Sequence, residues 1–202
     1  MNAREKLFEL ILPVFESIFG RFERGDLLFF GDRADLVSPA PRKYSLDAEQ
    51  DMVYNIKSSS LNGIPFFADV TVSDGFINMT LSDGIVEMLA DLYTAGIASP
   101  SVPDTFFTGT GEELTAMLIP LIRHGECDFP PGEPLVRRAF LSAMFSDTPE
   151  SLSRAAVRIR RALELDRKER LSGKRLIPGK AALVMALALE KASTKKKNND
   201  WS

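Results

Sequence analysis

Residues 68–81, ADVTVSDGFINMTL, constrain the fold more tightly than any other stretch of the chain. Ala68, Val70 and Val72 alternate with Asp69, Thr71 and Ser73; beyond Asp74-Gly75, Ile77, Met79 and Leu81 alternate with Phe76, Asn78 and Thr80. A period of two belongs to a strand, whose successive side chains point to opposite faces. Asp-Gly supplies the two positive-φ residues that a tight hairpin turn demands. The expectation is an antiparallel hairpin with Ile77, Met79 and Leu81 buried. Phe76 and Asn78 then face outward, where one can stack on an unpaired base and the other hydrogen-bond to it. The competing reading is that Phe76 packs beneath the Pro65–Phe67 segment or the first helix.

Helices flank the hairpin. Leu7, Phe8, Leu10, Ile11, Val14, Phe15 and Ile18 repeat at helical spacing over 3–19, with Pro13 giving one kinked helix or two short ones and Gly20 a stop. Residues 21–46 read as irregular, with Leu27–Phe30 a short strand or a buried turn. Asp47 and Gln50 open a helix to about residue 58, and 58–65 reads as a loop. Ser82 caps a helix over 83–95 that turns Ile85, Val86, Leu89, Leu92 and Tyr93 inward. After 98–110, rich in Pro, Gly, Ser and Thr, every period is helical. Thr110 and Glu113 form a capping box, Thr148-Pro149 starts a long helix, and Pro178 opens the last one. The organisation is therefore α+β over 1–97, a linker at 98–110, a helical bundle over 111–193 and a disordered tail over 194–202.

With 202 residues the chain is long enough for one large domain or two small ones. A single cysteine excludes an internal disulfide framework and fits a reducing compartment. No run approaches a bilayer span, so no membrane contact and a cytoplasmic location are expected. Charge is unevenly spread: residues 1–150 hold 11 Lys/Arg against 23 Asp/Glu (−12), and 151–202 hold 14 against 5 (+9), within a total of −3. Such a split fits either a polyanion-binding half or two halves that attract each other.

No catalytic constellation emerges. His124 and Cys127 are the lone histidine and cysteine, and a zinc site needs at least three protein ligands. Gly31-Asp32, Gly109–Gly111 and Gly173-Lys174 lack phosphate-loop spacing and read as turns. Asp47, Glu49, Asp51, Glu112 and Glu113 read as capping or solvated carboxylates. The expectation is a non-enzyme without cofactor or metal. Arg154, Arg158 and Arg161 do fall on one helix face, opposite a stripe of Leu152, Ala156, Ile159 and Leu163 expected to be buried. Arg160 flanks the arginines, Arg137-Arg138 adds to them, and Arg167, Lys168, Arg170, Lys174 and Arg175 continue the run. Guanidinium binds phosphate through a bidentate fork, which suits such a stripe to nucleic acid.

Gly75, Phe76, Ile77, Asn78, Leu81 and Ser82 match the G-F-I-N strand of the N-terminal appended domain of arginyl-tRNA synthetases, which ADVTVSDGFINMTLS resembles. Asp74 stands where that family usually has proline or glycine. The resemblance implies an α+β domain that contacts the outer corner of tRNA. The stretch AFLSAMFSDTPESLSRAAVRIRRAL is similar in character to the helical anticodon-binding domain of the same enzymes, while their catalytic signatures are missing. Together these readings predict a tRNA- or structured-RNA-binding module using Phe76, Asn78, Arg137, Arg138, Arg154, Arg158 and Arg161. The alternative is an assembly protein, a homo-oligomer or a protein's partner, joined through its acidic and basic parts.

Overall fold

The computed structural model describes residues 3–30, 34–44, 50–95, 131–146, 148–174 and 176–199. The chain is α+β, as its periods imply. It divides into two compact units: the first runs over Glu5–Leu89, and the second takes residues 2–4 and the chain from Ala90 on. The expected linker, 98–110, lies outside the described residues. None of the described helices is long and apolar enough to cross a membrane.

In the first unit, helix α1 (Ala3–Phe19) is a single helix that carries Pro13 inside it, and it stops at Gly20, whose φ is 74°. A short 3-10 turn (Arg24–Asp26) leads to β1 (Leu28–Phe29), β2 (Leu36–Ser38), α2 (Ala40–Lys43) and α3 (Gln50–Lys57). Strands β3 (Ser60–Leu61) and β4 (Ile64–Pro65) form a separate small hairpin over the stretch expected to be a loop. Asn62 and Gly63, at φ 51° and 83°, make its turn. Then come β5 (Phe67–Ser73), β6 (Phe76–Leu81) and α4 (Asp83–Thr94).

The main sheet is antiparallel in the order β1-β2-β6-β5, so β6 is paired on both sides. The expected Asp74-Gly75 turn forms, with φ of 54° and 77°. Ile77, Met79 and Leu81 are fully buried, and Leu36 sits opposite Met79 with Ser38 opposite Ile77. They meet a core that includes Leu7, Ile11 and Phe15 of α1, with Phe15 against Phe22 at 4.6 Å and edge-on to Phe67 at 6.3 Å.

The outgoing strand departs from its expected phase. A bulge between Phe67 and Asp69 puts Phe67 and Val70 on the buried face, three residues apart. Ala68 is consequently exposed, and Val72 lies 37% exposed near the strand's end. A bulge adds one residue to one strand only, which inverts the alternation on either side of it. Ser82 caps α4 as expected: its Oγ accepts from the Ile85 N–H at 3.3 Å and donates to the Pro65 carbonyl. Leu92, expected inward, is exposed.

In the second unit, helices α5 (Pro134–Phe145), α6 (Pro149–Leu171) and α7 (Gly179–Asn199) pack on one another. Thr148 caps α6 as its sequence implies, its Oγ1 accepting from Ser151 N–H at 3.1 Å while Ser151 Oγ accepts from Thr148 N–H at 3.0 Å. The last helix continues to Asn199, through residues expected to form a tail. Residues 139–145 of α5 and 181–186 of α7 are buried all round. Asp166, also buried, closes the turn between α6 and α7: its Oδ1 accepts from Leu176 N–H at 3.1 Å and Ile177 N–H at 2.8 Å, and its Oδ2 from Arg170 Nε.

Two substitutions test these turns. Asp166→Ala orphans two backbone donors and a guanidinium, and a loss of about 3 kcal/mol is expected in urea unfolding of the whole chain. Gly75→Ala meets only ordinary contact, with Arg42 Cβ 3.5 Å from the added methyl, so its cost is the left-handed backbone. The expected loss is about 1 kcal/mol; an unchanged urea midpoint would contradict a positive-φ turn.

Candidate nucleic-acid interface

In the second unit Arg158 reaches from α6 to α5 where the two helices pack. Leu152, Ala155, Ile159 and Ala162 form the buried stripe of α6, whereas Ala156 and Leu163, expected there, are half-buried. The helix is thus rotated slightly from its expected phase, and Arg158 moves to the margin of the buried seam. Its Nη1 donates to Ser142 Oγ of α5 at 2.8 Å, and Ser142 is itself buried. Arg154, one turn earlier on α6, and Arg161, on the following turn, are exposed. Arg138, half-buried, stands one turn before Ser142 on α5.

Arg158 feels the charges of its neighbours. Burial depresses the Arg158 guanidinium below its ordinary value, and the charges of Arg138 and then Arg154 depress it further. Like charges gathered this way oppose folding, and an arriving anion relieves them. Among the described residues, no ion pair engages Arg138, Arg154 or Arg161. Arg137 lies about 100° round the helix from Arg138; it is half-buried and has contacts of its own.

In the first unit, Phe76 and Asn78 lie on the outer face of the sheet, both half-buried. Asn78 is paired between Val37 and Thr71, and Phe76 lies opposite Ser73. Phe67 faces the other way, opposite Leu81 in the core. The Arg42 guanidinium of α2 lies 6.0 Å from the Phe76 ring centroid, at the outer limit of a cation–π contact. Phe76 is therefore neither a bare stacking platform nor a core residue.

Arg42 owes its place to its neighbour. Lys43 Nζ reaches Asp26 Oδ1 at 2.7 Å, and Tyr44 Oη donates to Asp26 Oδ2 at 2.6 Å, tying α2 to the 3-10 turn. The Glu23 N–H also donates to Asp26 Oδ2, at 2.8 Å. Burial alone would push the Asp26 carboxyl up; the hydrogen bonds from Lys43, Tyr44 and Glu23 and the Lys43 charge outweigh it, and the net shift is downward. Lys43 is held well above the ordinary lysine value, chiefly by its hydrogen bond to Asp26. Arg21 adds its guanidinium over the Tyr44 ring at 4.8 Å.

Other sequence candidates fare differently. Gly173, at φ 84°, is a turn, as expected, and Asp51 is exposed on α3. Asp47, Glu49, Gly31-Asp32, Gly109–Gly111, Glu112, Glu113, His124, Cys127 and Arg175 lie outside the described residues. Sequence reasoning missed Ser142 and Asp26, since neither belongs to any local pattern. Family models, curated proteins and solved structures were compared with the chain, and none matches it.

The Asp26 network carries a pH prediction. A carboxyl lowered on folding contributes stability that is fully present above its ordinary value of 3.8 and fades as pH falls toward its folded value. Urea midpoints should therefore drop below about pH 4 in the wild type. Asp26→Asn should be less stable at neutral pH and lose that part of the acid dependence. A parallel drop in both proteins would remove Asp26 as its source.

Proposed function

We propose that this protein is a non-catalytic, cytoplasmic RNA-binding module that takes tRNA or another structured RNA through the arginine cluster of α5 and α6. The observation that carries the reading is the arginine run of α6, exposed at Arg154 and Arg161, with Arg158 held on Ser142 and feeling the charges of Arg138 and Arg154. Arginine in place of lysine favours phosphate oxygens, because its planar fork donates to two of them at once. The synthetase-like hairpin supports the same class of ligand. On this reading the Phe76–Arg42 pair adds a stacking and cationic contact from the first unit, and Asn78 a hydrogen bond.

One observation favours assembly instead. Lys180 pairs with Asp91 at 2.6 Å, a cation of the basic stretch meeting a carboxylate of the acidic one. That pair is 25% and 63% exposed at its two side chains, so its contribution is small. It does not involve the arginine cluster.

A salt series with bulk tRNA decides between the two. Affinity should fall steeply as salt rises, and Arg154→Ala/Arg161→Ala should shallow the log–log slope by about one unit per arginine. Both residues are exposed, so the fold tolerates their loss. Absence of binding at low salt, together with self-association on sizing, would replace RNA binding by assembly.

A further inference from the structure

Helix α6 turns five cations to solvent: Arg154, Arg160, Arg161, Arg167 and Lys168 are all exposed. Helical periodicity sorts them into two rows. Arg154, Arg161 and Lys168, at steps of seven residues, line one edge of the outward face. Arg160 and Arg167, also seven apart, line the other edge, about a third of a turn round the axis. Between the rows run Glu150, Ser153, Val157, Glu164 and Leu171, all exposed, on the side opposite the buried stripe of Leu152, Ala155, Ile159 and Ala162. Among the described residues, no hydrogen bond or ion pair engages any of the five cations or Glu164. Yet Glu164 lies four residues from both Arg160 and Lys168, the spacing at which helix ion pairs form. Arg158, held on Ser142, takes no part in this face.

Resting on the RNA reading above, we infer that this face docks across the minor groove of double-stranded RNA, one row of cations on each phosphate strand. A single strand offers one backbone, and proteins that bind it add aromatic platforms for its unstacked bases. Among the described residues of the second unit, the exposed large apolar side chains are Leu92, Leu135, Val157 and Leu171, none of them aromatic. A duplex keeps its bases stacked inside and presents two backbones. The cations from Arg154 to Lys168 cover about 21 Å of helix axis, enough to meet more than one phosphate on each strand. Glu164 separates RNA from DNA. Phosphate repels a carboxylate, but a 2′-hydroxyl donates to it, and the wide, shallow minor groove of A-form RNA displays those hydroxyls. The A-form major groove is too deep and narrow to admit such a face.

The test compares three labelled probes: an RNA hairpin with a stem of about 16 base pairs, the same hairpin in DNA, and oligo(U) of equal phosphate count. Binding to the full chain is followed by fluorescence anisotropy at fixed ionic strength. The RNA hairpin should bind about tenfold tighter than either other probe. Arg154→Ala/Arg161→Ala and Arg160→Ala/Arg167→Ala should each weaken it severalfold, because both rows are used. Lys6→Ala/Lys57→Ala, which removes the same charge from the first unit, should leave it unchanged. Glu164→Ala should bind DNA at least as tightly as the wild type does and lose most of the preference for RNA. Oligo(U) binding as tightly as the RNA hairpin, or loss of affinity from one row alone, would overturn docking across a groove while leaving RNA binding standing. Equal affinity for the RNA and DNA hairpins would overturn the minor-groove contact to 2′-hydroxyls. No binding of any probe at low salt would overturn the RNA reading and this inference together.

Discussion

The first unit depends on the inner face of one strand. β6 is hydrogen-bonded on both sides, and its three inward residues, Ile77, Met79 and Leu81, are fully buried. Burying side chains of that size contributes on the order of 1.5–3 kcal/mol each. A one-residue slip would instead bury Phe76, Asn78 and Thr80 and expose all three apolar residues. Register is thus fixed by hydrophobic burial on one face. The outer face is then free to carry Asn78 and the Phe76–Arg42 contact.

The second unit follows a different logic. Apolar packing between α5, α6 and α7 is extensive, with Val136, Phe140, Met144, Leu152, Ile159 and Val184 buried together with several alanines. Small residues let helices approach closely, and Ala139 and Ala143 of α5 and Ala155 and Ala162 of α6 are all buried. Arg158 sits at its margin, where it can reach Ser142.

What could be read from the sequence depended on how local the governing physics is. The Asp74-Gly75 turn and the Thr148 and Ser82 caps were legible because each is specified within a few residues. Asn62-Gly63 carried the same turn signal, but its strands are two residues long and show no alternation. Strand β2 escaped notice because Leu36, Val37 and Ser38 are all buried, leaving no period to detect. The bulge at Phe67–Asp69 defeated the alternation rule by inserting one residue. On α6 the arginine stripe was legible. The buried stripe was misplaced by one residue at Ala156 and Leu163, because alanines at 155 and 162 give a weak periodic signal. Buried carboxylates were invisible: nothing local marks Asp26 or Asp166, and only the tertiary fold supplies their donors.

Those carboxylates and the arginine cluster illustrate opposite uses of charge. Asp26 and Asp166 each gather several donors, so their burial is compensated at the site itself. Arg138 and Arg154 have no such balance among the described residues, and their charges add to the burial that depresses Arg158. Repulsion of this kind persists because apolar packing fixes α5 against α6 regardless of it. A well-packed seam can carry such cations without losing its geometry, whereas a flexible basic loop would have to order itself at each encounter with an anion.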